Sequence, residues 1–132
     1  TYKIYEDRIY RTAPFLKFAP VIFISARTGM RALKLFDLID EVHENLRRRI
    51  STAELNKFLN ELRLEYSTPA EKNKKTKLNF ISQVEGECPT FVIHATHKEI
   101  IPKNFTNFLI NKLRAAFKFT GDPIFLYYKN KK

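Results

Sequence analysis

The sequence predicts an α+β protein: a helix-strand-helix opening gives way near residue 50 to an α-β-β-α-β order, a two-layer domain whose small sheet is covered by helices. Three observations carry this reading. The run Val21-Ile22-Phe23-Ile24 ends in the small-residue loop Ser25-Ala26-Arg27-Thr28-Gly29, the pattern of a strand buried on both faces, as in a parallel sheet. Ser51-Thr52-Ala53-Glu54 is a capping box, in which the Ser51 side chain accepts from the backbone amide of Glu54 to start a helix. Beyond about residue 75 the apolar period changes from helical to alternating.

Residues 2–16 form the first helix, with Tyr5 and Ile9 on its buried face, and Pro14 presses against its continuation. Pro20 suits the entrance of the strand at 21–24. From 32 to about 48, Leu33, Phe36, Ile39, Val42 and Leu46 keep helical spacing, with Asp37, Asp40, Glu41 and Glu44 on the other side. Arg47-Arg48-Arg49 closes that helix, where cations complement the negative end of the dipole.

The helix opened by Ser51 runs to about residue 65 on Leu55, Phe58, Leu59, Leu62 and Tyr66. Residues 67–75 are polar, contain Pro69 and read as a loop. An antiparallel hairpin follows, in which Thr76, Leu78, Phe80 and Ser82 alternate with Lys75, Lys77, Asn79 and Ile81 before a turn at 83–89 and a strand at 90–96. A helix at 103–118 presents Phe105, Phe108, Leu109, Leu113, Ala116 and Phe117, a core stripe that covers the sheet. Gly121 breaks it, and 123–129 is the last strand, on which Tyr127 and Tyr128 point to opposite faces.

Composition bounds the chemistry. The 132 residues are 44% hydrophobic, enough for a packed core, and 24 basic residues against 14 acidic ones give a net charge of +10, which favours a polyanionic partner such as nucleic acid. One cysteine, Cys88, excludes an internal disulfide framework and a zinc site of paired thiolates. No stretch approaches the roughly 18 apolar residues of a membrane span, and Glu6, Asp7, Arg8 and Arg11 break any signal-peptide core, so a cytoplasmic protein without membrane contact is expected. His43, His94 and His97 lack partners spaced to complete a metal site, and no metal is expected.

The strand, loop and order of elements resemble the C-terminal part of the Der or EngA family of bacterial tandem GTPases. The blocks that carry the resemblance are Ala19-Pro20, Ser25 through Gly29, Leu38-Ile39-Asp40-Glu41-Val42, Arg49-Ile50-Ser51-Thr52-Ala53-Glu54-Leu55-Asn56, Gln83-Val84, Pro89-Thr90-Phe91-Val92, Asn111-Lys112-Leu113-Arg114-Ala115-Ala116-Phe117 and Gly121-Asp122-Pro123-Ile124. The resemblance implies that 1–50 is the C-terminal remnant of the second GTPase domain, of α/β P-loop type, and that 51–132 is a KH-like domain. It also implies a parent that binds GTP or GDP with Mg²⁺ and acts in assembly of the large ribosomal subunit.

None of GxxxxGK[ST], DxxG or NKxD occurs in the chain, so the segment itself is expected to be no enzyme and to hold no cofactor. The guanine-binding element left, by the resemblance, is Ser25-Ala26-Arg27, where the Ala26 amide would meet the guanine oxygen while Ser25 holds the turn. One such hydrogen bond nets only about 0.5–1.5 kcal/mol, too little to bind nucleotide alone. KH domains that grip single strands use a GxxG loop, which is also absent. RNA contact is therefore assigned to charge and stacking: Arg47, Arg48 and Arg49, then Lys72, Lys74, Lys75 and Lys77, then Tyr127, Lys129, Lys131 and Lys132. Residues 51–132 hold fourteen basic against eight acidic residues and 1–50 ten against six, a spread that suits backbone contact with rRNA better than base reading.

Two functions follow. One is an RNA-binding and regulatory module of a ribosome-assembly GTPase, with the large ribosomal subunit and the parent's own GTPase domains as partners. The other is a protein-interaction module that docks the GTPase domains without touching RNA. The apolar residues of 1–50, made for the inside of a larger domain, are expected to be hidden by self-association of the segment or by rearrangement of residues 1–50.

Overall fold

The computed structural model describes residues 1–130, in two compact units. Lys131 and Lys132 lie outside the described residues.

The first unit comprises Thr1–Arg47 and Phe119–Pro123. Helix α1 spans Tyr2–Thr12, a 3₁₀ turn Pro14–Leu16, and α2 Ala32–Arg47. Pro14 ends α1 short of the predicted length, because its ring cannot follow a helical residue without clash. Neither helix has a buried residue. Tyr5 and Ile9, expected to be buried, are 49% and 37% exposed. The residues at 21–24 form no strand, because an extended run becomes one only by pairing and no described strand runs beside them. Phe23 is instead held by rings, with Tyr2 stacked at 5.2 Å and Tyr5 tilted at 6.3 Å.

Helix α2 divides its apolar surface. Leu35, Leu38, Val42 and Leu46 are half-buried, whereas Leu33, Phe36 and Ile39 are 80%, 62% and 52% exposed. The expected stripe thus straddles a covered and an open side. Gly121 fixes the covered side: its amide donates to the Phe18 carbonyl at 2.9 Å, and Asn45 Nδ2 donates to the neighbouring Thr120 carbonyl at 3.1 Å. Gly121 sits at φ +89°, and a Cβ there would stand 2.3 Å from Val42 Cγ2. Glycine is required both by conformation and by contact.

The second unit comprises Arg48–Lys118 and the stretch from Ile124. It holds α3 (Thr52–Glu65), a two-stranded hairpin of β1 (Ala70–Glu71) and β2 (Lys74–Lys75), then β3 (Lys77–Val84), β4 (Thr90–Thr96), α4 (Lys103–Phe117) and β5 (Phe125–Asn130). The main sheet has the order β3-β4-β5, with β3 antiparallel and β5 parallel to β4. The α+β fold with an α-β-β-α-β core is as the sequence predicted, and the Ser51 half of the capping box forms, Ser51 Oγ accepting from Glu54 N at 3.2 Å.

Three details differ from expectation. The polar loop at 67–75 contains the β1–β2 hairpin, closed by the two residues Lys72 and Asn73, too short a ladder to leave an apolar alternation. A register shift between Leu78 and Phe80 breaks the alternation predicted for β3, so that Leu78 and Ile81, three apart, both face the core. In α4 only Leu109 and Leu113 are buried; Phe105, Phe108 and Phe117 are half-buried and Ala116 is exposed. The helix meets the sheet along a narrower seam than its aromatic content suggested.

One face of the sheet carries Leu78, Ile81, Phe91, Ile93, Ala95 and Leu126, all buried, with Leu55, Leu59 and Leu62 of α3 and Leu109 and Leu113 of α4 completing the core. Side chains anchor the outer edge of β3. Asn56 Nδ2 donates to the Ile81 carbonyl at 3.0 Å while Asn56 Oδ1 accepts from the Ile81 amide at 3.0 Å, so the carboxamide takes the place of a neighbouring strand. Arg63 donates to the Leu78 carbonyl at 2.6 Å. Two residues along from Ile81, the Gln83 side chain accepts from the Ile50 amide at 2.7 Å and donates to the Arg48 carbonyl at 3.0 Å.

Replacing Asn56 or Gln83 by Ala should each lower the stability of the second unit by about 1–3 kcal/mol, since partly buried backbone groups lose their partners. Urea denaturation followed by far-UV circular dichroism checks this. Gly121→Ala should destabilise the first unit by about 1–3 kcal/mol through overpacking against Val42 and strain at positive φ, read as earlier hydrogen exchange along α2. Burial holds the Tyr128 phenol above its ordinary value of 10.0, partly offset by its hydrogen bond with Thr106 Oγ1. Tyr128 therefore contributes stability that is complete below pH 10 and lost as pH rises through the folded value, so Tyr128→Phe should flatten the alkaline limb of a stability–pH curve.

Candidate nucleic-acid interface

Among the described residues, the basic residues singled out in the sequence fall into four places. Arg47 is the exposed last residue of α2 in the first unit. Arg48 and Arg49 open the second unit and are tied to β3: the Arg48 carbonyl accepts from Gln83, and Arg49 donates to the Gln83 carbonyl at 3.4 Å. The Arg48 carbonyl and the Arg49 side chain thus brace the sheet edge, a role the sequence reading did not give them. The Arg49 guanidinium nonetheless stays exposed.

The four lysines at 72–77 are gathered by the β1–β2 hairpin and the start of β3, and all are exposed. Lys72 sits at the tip in a left-handed conformation, φ 54°. Lys74 is paired with Glu99 at 3.4 Å, and His97 Nδ1 lies 3.6 Å from the same carboxylate. The Glu99 carboxyl is held below the usual carboxylate range chiefly by its own backbone amide, with Lys74 and His97 adding to the effect. Of the four lysines, Lys74 is therefore the one partly neutralised. Thr76, the single buried member of the segment, pins it: Thr76 N donates to the Pro69 carbonyl at 2.9 Å and Thr76 Oγ1 to the His97 carbonyl at 3.3 Å.

Lys75 and Lys77 border a cleft of about 580 Å³ between this segment and the C-terminal end of α3, lined also by Arg63, Tyr66, Thr68 and Leu78. Tyr66 is fixed at its rim. Its ring stands edge-on to Phe108 at 5.0 Å, its hydroxyl accepts from Lys112 Nζ at 2.7 Å, and the same ammonium lies 4.7 Å from the ring centre. An open cleft with cations on one wall and an aromatic ring on the other can take a phosphate and a flat base.

On β5, Tyr127 is 56% exposed and Lys129 is exposed, while Tyr128 turns to the helices and meets Thr106 at 2.8 Å. The alternation predicted for the two tyrosines is observed. Phe125 and Phe80, which the sequence reading did not select, are 45% and 42% exposed on the same face as Tyr127. Their signal in the sequence was the alternation of β5 and, for Phe80, the bulge that cannot be read from spacing.

The loop at 25–29 is a tight turn. Ser25 Oγ accepts from Thr28 N at 3.2 Å, the Ser25 carbonyl accepts from Gly29 N at 2.8 Å, and Ala26 and Arg27 are exposed. His97 lies just beyond the end of β4 in a left-handed conformation, φ 52°. Among the described residues no group of three His, Cys, Asp or Glu is placed to hold a metal ion, and no helix is long and apolar enough to cross a membrane.

Comparison with known proteins adds the family. Residues 49–129 match the model described as the KH-domain-like domain of EngA bacterial GTPase enzymes, C-terminal. The chain is 38% identical over 131 residues to a protein named GTPase Der from Caldanaerobacter subterraneus subsp. tengcongensis, covering 99% of this chain and 30% of that one. It is 39% identical over 132 residues to GTPase Der of Latilactobacillus sakei, covering 100% and 30%, and 36% identical over 131 residues to that of Fusobacterium nucleatum, covering 99% and 30%. The chain thus spans about 30% of the length of these relatives. With the family model laid over α3 to β5, the sheet and helices that carry the lysine hairpin, this chain belongs to the Der/EngA family of bacterial GTPases and contains its C-terminal KH-like domain.

Proposed function

We propose that this chain is the RNA-binding and regulatory module of a GTP-hydrolysing protein that acts in assembly of the large ribosomal subunit. Residues 1–50 are the end of the second GTPase domain and 51–132 the KH-like domain. The observation that carries the reading is the grouping of Lys72, Lys74, Lys75 and Lys77 on the exposed hairpin and the start of β3, where Lys74 is paired with Glu99 and Lys75 and Lys77 border an aromatic-rimmed cleft. Such a hairpin holds phosphates in position without reading bases.

GTP hydrolysis, with GTP or GDP and Mg²⁺, belongs to the longer protein. Within this chain Ser25, Ala26 and Arg27 supply the guanine-facing turn, and Arg47, Arg48, Arg49, Lys129, Lys131 and Lys132 add to the field that attracts rRNA. Regulation then takes the form of linkage: nucleotide favours one arrangement of the longer protein and RNA another, so each alters the affinity for the other.

A second reading, a module that docks the GTPase domains without RNA contact, is favoured by one observation, the exposed Leu33, Phe36 and Ile39 of α2. An apolar patch of that kind marks a protein-facing surface.

Filter binding of rRNA fragments across a salt series separates the two. The first reading expects affinity to fall steeply with salt, with a log–log slope near −0.7 per phosphate neutralised, and the slope to become shallower by about one to two in Lys75→Gln/Lys77→Gln. Absence of binding at low salt supports the second. Calorimetric titration with GDP should give no heat of binding to this chain, and micromolar affinity would overturn the assignment of nucleotide chemistry to the longer protein. By sedimentation, the isolated chain should self-associate, and Phe36→Asp should return it to a monomer.

A further inference from the structure

The open face of the main sheet carries residues named above singly, and the strand registers bring them together. Its cross-strand rows are set by the registers: Lys77 opposite Thr96; Phe80 opposite His94, itself opposite Lys129; Ser82, Val92 and Tyr127; and Val84, Thr90 and Phe125. The face opposite carries the core under α3 and α4. Three large aromatic side chains therefore stand on the open face, Phe80, Phe125 and Tyr127, each between 42% and 56% exposed. His94 lies 6.0 Å from Phe80, ring centre to ring centre.

Exposed aromatics in this number are costly on a sheet that faces only water, and their setting points to one kind of occupant. The rows contain two lysines, one histidine and no carboxylate; Glu85 and Glu87 lie beyond the last row, in the turn. Rows of a sheet are about 7 Å apart and strands about 4.8 Å, so Phe125 and Tyr127 on one edge and Phe80 on the other offer separate flat surfaces across the face. Sheets that present aromatics in this manner stack two or three unpaired bases, with basic residues taking the flanking phosphates.

We propose that the open face of the β3-β4-β5 sheet is a stacking platform for a short single-stranded RNA segment. Tyr127, Phe125 and Phe80 receive the bases, and Lys77 and Lys129 take the phosphates beside them. The platform rests on the RNA-binding reading above and sharpens it: the lysine hairpin supplies sequence-blind attraction, and the sheet supplies a preference for unpaired bases. It lies on the side of the sheet away from α3 and α4, which removes the need for a GxxG loop between helices.

The test is fluorescence anisotropy of the 132-residue chain with a short labelled oligouridylate and with an RNA duplex of equal length. Tyr127→Ala and Phe125→Ala should each weaken single-strand binding about tenfold, leave the salt slope unchanged and leave duplex binding unchanged, and Tyr127→Phe should bind as the parent does. Both residues are exposed, so unchanged far-UV circular dichroism is expected to accompany the loss. If the alanine variants bind the single strand as tightly as the parent while Lys72→Gln/Lys75→Gln loses affinity, the platform is wrong and the RNA reading stands. If the parent binds neither RNA at low salt, the RNA reading itself falls and the platform with it.

Discussion

A strand at the edge of a sheet leaves a row of amides and carbonyls without partners, and β3 disposes of that row through side chains of α3 and the segment before it. Asn56 answers both backbone groups of Ile81, Arg63 answers Leu78, and Arg49 answers Gln83. These contacts do more than close an edge. They set the axial position of α3 on β3, where Leu55, Leu59 and Leu62 share the buried core with Leu78 and Ile81. They also commit the helix to one face. The other face, with its aromatics, stays open because α3 is held away from it.

The same contacts give physical meaning to two blocks of the family resemblance. Asn56 closes the block that begins at Arg49, and Gln83 begins the next. Each is a carboxamide that donates and accepts at once, a task that Asp, Glu or a hydrocarbon of similar size cannot perform. Arg48 and Arg49 were read from the sequence as charge at a helix end. In the fold their peptide groups and the Arg49 guanidinium belong to this brace, so their placement has a structural reason before any question of RNA arises.

How much was legible depended on whether a feature was local. The capping box at Ser51, the extent of α3 and the bounds of β4 could be read to within a residue, since hydrogen-bonding side chains and apolar period lie within a few positions of one another. The opposite sidedness of Tyr127 and Tyr128 was legible for the same reason. What escaped were pairings between distant segments. The bulge at Leu78/Phe80 moved Phe80 to the open face, and nothing in the run of residues marks it. The β1–β2 hairpin is held by Thr76 to Pro69 and His97 rather than by an apolar pattern. At 21–24 the β-branched composition was read as a strand, but a strand is a relation between two segments and the described residues supply only one.

The parallel pairing of β5 with β4 has a bearing on the order in which the unit is built. The β3–β4 hairpin closes through a short turn, a contact that forms in microseconds once both strands exist. Strand β5 follows only after α4 and the Phe119–Pro123 loop, because two parallel neighbours require a long crossover between them. Until that loop closes, β4 is a central strand with a bare flank, its Phe91 and Ile93 lacking Leu126 and Tyr128 beside them. During synthesis on the ribosome the sheet therefore passes through a two-stranded state, and the strand that completes it is the one that follows α4 in the chain.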